Sequence, residues 1–158
     1  MRSVRNICKQ LDAYDSGRIY YYLGEYQKAY LALDEARDKG GADSYLYLGR
    51  AYAATGDYNY ASSVYNNYLS KQGPNAEIYN ELGLCEMAKK EYQNALAAFQ
   101  AGKQIEGNSL MQTLCFNEIV AYEYLEDYQQ AEVLMNAYLQ NYPDDQTAIR
   151  EQQFLSTR

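Results

Sequence analysis

The stretch ADSYLYLGRAYAATGDYNYASSVYNNYLSKQGP, residues 42–74, decides the fold. Tyr45, Leu48, Gly49 and Tyr52 follow one another at helical spacing and make a single apolar stripe. Thr55-Gly56-Asp57 interrupts it. Tyr58, Ala61, Tyr65 and Tyr68 then form a second stripe at the same spacing, and Gly73-Pro74 ends the run. Two amphipathic helices joined by a tight turn make a helical hairpin, and each helix keeps an apolar face that it cannot cover alone.

The pattern recurs along the chain. Upstream, Gly17, Tyr20, Gly24, Tyr26, Ala29, Leu33 and Ala36 fall at matching places, with Ala13 and Ser16 where larger apolar residues stand in the second copy. Downstream, Tyr79, Leu82-Gly83, Tyr92, Ala95, Phe99 and Gly102 repeat it, although Glu86 and Lys90 depart from the Tyr and Gly of the second copy. The fourth copy holds Cys115, Ile119, Tyr122, Tyr128, Ala131, Met135, Tyr138 and Pro143, and its Leu-Gly pair has become Glu118-Ile119, which loosens the close contact that a Gly allows. One column decides the matter: Tyr26/Ala29, Tyr58/Ala61, Tyr92/Ala95 and Tyr128/Ala131 repeat the same Tyr-x-x-Ala pair, with the flanking stripes in phase. Helices of a hairpin approach closely only where one presents a residue no larger than a methyl group, and a larger side chain at Ala61 would overpack the crossing by about 1–3 kcal/mol.

In its spacing the unit resembles the tetratricopeptide repeat, W-x2-L-G-x2-Y…A-x3-F…P. Tyr45 stands at the Trp place, Leu48-Gly49 are the Leu-Gly pair, Tyr52 the Tyr, Ala61 the Ala, Tyr65 the Phe, and Pro74 lies one place late for the Pro. The resemblance implies an all-α solenoid, a right-handed superhelix of antiparallel helix pairs. The whole chain, 1–158, reads as a single domain with repeats near 10–41, 42–75, 76–111 and 112–143 and a capping helix over 144–157. The helices are expected at 4–23, 26–39, 43–55, 58–71, 76–89, 92–105, 110–125 and 128–141, the first prolonged backwards through Val4 and Ile7. Glu25, Asp57, Glu91 and Asp127 open the second helix of each pair and are expected to cap it. Asp144 is expected to cap the last helix, with Ile149 and Phe154 facing the final hairpin and Asp145, Glu151 and Gln152 facing water.

Composition excludes several classes of function. A net charge of −7 makes nucleic acid a poor partner. Twenty tyrosines bury rings yet keep hydroxyls for water, which suits thin solenoid layers. No stretch approaches the roughly 20 apolar residues of a membrane span, and Arg2 and Arg5 are not followed by the apolar run of a signal peptide. The chain taken whole is therefore expected in the cytoplasm; taken as a fragment, it fits the repeat domain of a larger secreted or lipid-anchored bacterial protein of the cell envelope. With no histidine there is no Ser-His or Cys-His pair and no imidazole metal ligand. Cys8, Cys85 and Cys115 lack C-x-x-C spacing, and the last two fall on packed stripes as small buried thiols. The glycines sit at turns and crossings rather than in a phosphate loop. Neither catalysis nor a cofactor is expected.

In the family the first helix of each hairpin lines a concave groove that takes extended peptides or a helix. Carried onto this chain, that surface comprises Tyr14, Arg18, Tyr21 and Tyr22, then Tyr47, Arg50 and Ala54, then Asn80, Glu81, Leu84 and Met87, then Phe116, Asn117, Val120, Glu123 and Tyr124. Arg18 and Arg50 occupy the same place in adjacent repeats, ringed by Tyr14, Tyr21 and Tyr47. A basic, aromatic spot on an acidic chain suits a carboxylate, such as a peptide C-terminus; the alternative is that the arginines pair with neighbouring acids or lie over tyrosine rings. Leu84, Met87, Phe116 and Val120 make the second half apolar, to hold a partner's side chains or to pack against the last helix. Glu77 and Glu81 would repel the acidic chaperone tails that some members of the family clamp. The expected function is a non-catalytic protein-interaction scaffold with modest, micromolar affinity; the rival is a structural module that self-associates into a homo-oligomer.

Overall fold

The computed structural model describes residues 11–158. All secondary structure among them is helical: α1 Ala13–Tyr22, α2 Tyr26–Glu35, α3 Gly41–Ala54, α4 Tyr58–Gln72, α5 Ala76–Ala88, α6 Tyr92–Lys103, α7 Met111–Tyr124, α8 Tyr128–Asn141 and α9 Gln146–Leu155. Contacts gather into two units, one ending at Gly73 and one running from Pro74 to Arg158. In the first, α1 pairs with α2 and α3 with α4, and α2 packs on α3. In the second, α5 pairs with α6, α7 with α8, α6 packs on α7, and α9 closes against α8.

The alanine column holds the pairs together. Ala29, Ala61, Ala95 and Ala131 are all fully buried, so each crossing is set by a methyl group. Opposite this column the hairpins divide volume between two facing places. A Cβ at Gly49 would overlap the Tyr65 ring, one at Gly83 the Phe99 ring, and one at Gly17 the side chain of Leu33. In the fourth hairpin the distribution is reversed. Ile119 replaces the glycine and the unbranched Met135 replaces the ring, and both are buried in one cluster with Ala131, Tyr138, Ala148 and Leu155. The Glu118-Ile119 departure therefore leaves no loose contact, because a slender partner takes up the added branch.

The four hairpin turns share one geometry. In the second, Gly56 sits at φ +84° and the Asp57 N–H donates back to the Tyr52 carbonyl, the six-to-one bond that closes a helix with a left-handed residue. Lys90 and Glu126 hold the same left-handed place at φ 64° and 61°, with matching bonds from Glu91 to Glu86 and from Asp127 to Tyr122. The missing glycines thus change the strain of the turn and not its path. A side chain there costs about 1–2 kcal/mol, partly offset by the greater freedom of glycine in the unfolded chain. Lys90→Gly is accordingly expected to stabilise the protein by about 1 kcal/mol, read as a higher urea midpoint at unchanged slope.

Helix ends depart from expectation in instructive ways. Glu25, Asp57, Glu91 and Asp127 share nearly the same backbone conformation, yet only the two aspartates cap: Asp57 accepts from the Tyr60 N–H at 3.0 Å and Asp127 from the Gln130 N–H at 3.1 Å. Glu25 and Glu91 make no such bond, and Glu25 instead pairs with Lys28. The extra methylene carries the glutamate carboxylate past the N–H groups that an aspartate reaches. The first helix does not run back unbroken through Leu11: Asp12, in extended conformation, caps α1 by accepting from the Asp15 N–H. The remainder of the expected extension, with Val4, Ile7 and Cys8, lies outside the described residues. At the other end Asp145, not Asp144, is the cap. It accepts from the Thr147 and Ala148 N–H groups and from the Tyr138 hydroxyl at 2.6 Å, and that last bond foremost holds its carboxyl below the usual aspartate range. The buried face of α9 is Ala148 and Leu155, while Ile149 is half-buried and Phe154 largely exposed.

Candidate functional site

In the first unit, α1 carries Tyr14, Arg18, Tyr21 and Tyr22 toward α3, which carries Tyr47 and Arg50. Helical spacing aligns Tyr14, Arg18 and Tyr21 on one side of α1. The Arg18 guanidinium lies 5.3 Å from the ring centre of Tyr14 and 5.4 Å from that of Tyr47, within cation–π range of both. Tyr21 meets the Tyr47 ring edge-on at 5.4 Å, and the hydroxyls of Tyr22 and Tyr47 share a 2.6 Å hydrogen bond. Two tyrosine rings, foremost Tyr14 and then Tyr47, raise the Arg18 pKa above its ordinary value and hold its charge. Asp15 stands 4.0 Å away, at the limit of an ion pair, and 41% of the Arg18 side chain remains exposed. The structure thus brings together Tyr14, Arg18, Tyr21 and Tyr47, and joins Tyr22 to them through its hydrogen bond to Tyr47. Arg50 is half-buried on α3, near Tyr47 in sequence, and has an interaction of its own.

In the second unit, Asn80 on α5 is buried and its side-chain oxygen accepts from the Asn117 amide of α7 at 2.9 Å. This bond ties the first helices of two successive hairpins. Leu84, on the turn after Asn80, stays 43% exposed. Met87 packs on the cluster of Ala95, Phe99 and Leu114. Phe116 meets Tyr138 edge-on at 5.7 Å and belongs to the packing of the last hairpin and α9, which is the second of the two roles open to it from sequence. Val120 is half-buried, and Tyr124 stacks on Tyr92 at 5.0 Å while remaining mostly exposed. Glu123 faces Glu151 of α9. Burial first, and the Glu151 charge second, push its carboxyl up to about 7. Sequence reasoning assigned Glu151 to solvent; the signal that would have found it is its place between Ala148 and Leu155 on the buried side of α9.

Burial pushes Cys85 up to about 12 and raises Cys115 as well, so both stay protonated near neutrality. Among the described residues no group of histidine, cysteine or carboxylate side chains is placed to hold a metal ion, and no helix is long and apolar enough to cross a membrane.

The comparisons agree with this geometry. A tetratricopeptide repeat family model matches residues 14–59 and 48–108, and a second tetratricopeptide repeat model matches 116–145. No curated protein matches the sequence. Among solved structures, a crystal structure of MamA superposes with a TM-score of 0.78 at 19% identity, covering 90% of this chain and 78% of that one. MamA from AMB-1 gives 0.73 at 23% identity, covering 93% and 80%. The second tetratricopeptide domain of human RPAP3, solved in complex with the HSP70 peptide SGPTIEEVD, gives 0.66 at 17% identity, covering 75% and 97%. Repeat after repeat, the chain carries the family's small-residue crossings, its turns and its helix pairs, and it belongs to the tetratricopeptide repeat family.

Proposed function

We propose that the protein is a non-catalytic scaffold whose first-helix face in the first unit, that of α1 and α3, takes an extended segment of a protein partner, and that Arg18 with Arg50 receives a carboxylate of that segment. The observation that carries this reading is Arg18 itself: a charged guanidinium held between the rings of Tyr14 and Tyr47, with 41% of its side chain open to solvent. Rings on either side restrict its rotamers before a ligand arrives, which lowers the entropy lost on binding. Its Nε is shielded and has no hydrogen-bond partner, and the nearest carboxylate, that of Asp15, is 4.0 Å from one Nη. A carboxylate approaching from solvent would accept two parallel N–H bonds from a fork already oriented. The RPAP3 complex supports the class of partner, because its peptide ends in acidic residues and lies on a related fold.

The test is a fluorescence-polarisation screen of the full chain against a peptide library made twice, with free and with amidated C-termini. Binders are expected at micromolar Kd, to weaken at least tenfold on amidation or on loss of an acidic side chain, and to be lost in the Arg18→Glu/Arg50→Glu variant. The helical circular-dichroism signal should be unchanged. Equal binding by the double variant would remove the arginines from the reading. Sedimentation over a concentration series on the same samples reads self-association, and a tight dimer that excludes the peptides would replace the scaffold reading.

A further inference from the structure

At the last hairpin of the second unit, the end of α7, the start of α8 and the face of α9 border an open hollow of about 410 Å³ lined by Glu123, Tyr124, Glu126, Tyr128, Glu151 and Phe154. Three carboxylates and three aromatic rings line it, and no basic side chain does. Glu123 Oε1 is wholly shielded from solvent, and the carboxyl of Glu151 lies within hydrogen-bond reach of the Glu123 side chain. Two carboxyls pressed together in a partly buried site repel when ionised, and a cation between them relieves that repulsion. Two of these rings already carry a cation of the chain itself. The Arg158 guanidinium stands 4.1 Å from the ring centre of Phe154 and 5.9 Å from that of Tyr128, and it lines the adjoining hollow rather than this one.

We propose that the hollow between α7 and α9 is a binding site for the guanidinium of an arginine side chain on a partner polypeptide. A planar guanidinium stacks on rings and donates in pairs to carboxylates, so Phe154, Tyr128 and Tyr124 would flank it while Glu123 and Glu151 accept from it. A free polyamine shares the positive charge but not the planar fork. The inference does not depend on Arg18 and stands or falls apart from the groove reading.

Binding is coupled to a proton. The groups around Glu123 are Glu151 and Phe154 of α9, Glu126 of the turn, Tyr128 of α8, Tyr124 of its own helix and, through the stack on Tyr124, Tyr92 of α6; Arg158 stands at the rim. With the Glu123 carboxyl near 7, it is mostly ionised at pH 8 and mostly protonated at pH 6. A cation prefers the ionised form, so affinity is highest at pH 8 and falls by up to about tenfold at pH 6.

The experiment is nuclear magnetic resonance titration of the full chain, labelled with nitrogen-15, using acetyl-Gly-Arg-Gly-amide, acetyl-Gly-Glu-Gly-amide and spermidine at pH 8 and pH 6. The arginine peptide is expected to move the amide signals of Tyr124, Glu151 and Phe154 saturably, in the millimolar range of a single side chain. The effect should weaken about tenfold at pH 6 and be lost in Glu123→Gln/Glu151→Gln. The glutamate peptide should leave those signals in place. The variant is expected to fold, and Glu123→Gln alone should melt higher than the wild type at pH 8 and not at pH 4. The raised carboxyl opposes folding only as pH climbs from the ordinary glutamate value through 7. Absence of saturable shifts, equal affinity in the double variant, or equal affinity at the two pH values would overturn the proposal. Spermidine moving the same signals more tightly than the arginine peptide would assign the hollow to a free cation instead.

Discussion

Gly83→Ala is expected to destabilise the protein when made alone and to become neutral or stabilising when Phe99 is first truncated to alanine. Gly83 lies in the interior of α5, where exchange for alanine ordinarily favours the helix by about 1 kcal/mol. Here the added Cβ would overlap the Phe99 ring, which is fully buried and has no room to retreat. Overpacking of this kind costs about 1–3 kcal/mol, so it outweighs the propensity gain. Phe99→Ala alone should cost about 3–5 kcal/mol through lost burial and the cavity left behind. In that background the methyl group enters the cavity, the clash is gone, and the helix propensity of alanine reappears. Urea unfolding of the two single variants and the double variant yields the coupling energy directly. Additive effects within about 0.5 kcal/mol would show that close approach at this glycine does not set the hairpin crossing. The same experiment at Ile119 and Met135 is expected to give little coupling from Ile119→Gly, because that hairpin already divides its volume the other way.

Glu118→Ala is expected to cost about 3 kcal/mol, while Lys103→Met/Glu118→Leu should come within about 1 kcal/mol of the wild type. Glu118 stands where the second and third hairpins carry Leu48 and Leu82, and it is 5% exposed. It accepts from Lys103 Nζ at 2.5 Å and from Gln100 Nε2 at 2.9 Å, so two donors of α6 converge on one carboxylate of α7. Removing the carboxylate leaves the Lys103 ammonium, itself three-quarters buried, without its counter-charge. Breaking one side of a buried pair is costly, whereas replacing both sides by apolar groups of similar volume restores the leucine-like packing of the earlier hairpins. Burial pulls the Lys103 pKa down, but the bond to Glu118 and its charge pull it up and prevail, leaving it raised from 10.5. The pair's contribution is therefore present below that pH and fades as pH rises through the raised value. Thermal melts of the wild type and the apolar double variant should run parallel below the ordinary lysine pKa of 10.5 and diverge above it, the wild type falling as Lys103 loses its charge. A Glu118→Ala variant as stable as the wild type would mean that the pair contributes nothing to the packing of α6 on α7.

Much of the fold was legible because its determinants are local. Helix boundaries followed from stripes, glycines and acidic residues within a few positions of each end. The turns at Lys90 and Glu126 kept the path set by Gly24 and Gly56, because a left-handed residue costs little enough for the flanking helices to impose it. The Arg18 cluster was legible for a related reason: Tyr14, Arg18 and Tyr21 share one face of one helix, and the repeat carries Tyr47 to the matching place of the next. Where the reading failed, the deciding quantity was a length or a contact between helices distant in sequence. Whether an acid caps depends on one methylene, as Asp57 and Glu91 show. Between the two roles that the sequence left open to Phe116, the position of Tyr138 decides.

Sequence alone determined that this chain is an array of helical hairpins, because a small residue repeated at the same place in every copy admits close helix pairing and little else. Tertiary structure decided how each pair fills its space: a ring over a glycine in one hairpin, a methionine against an isoleucine in another, Lys103 on Glu118, Glu123 against Glu151. Periodicity specifies which face of a helix is buried. It does not specify which side chain of another helix meets that face, and that meeting sets both the packing energy and the charge of the candidate sites.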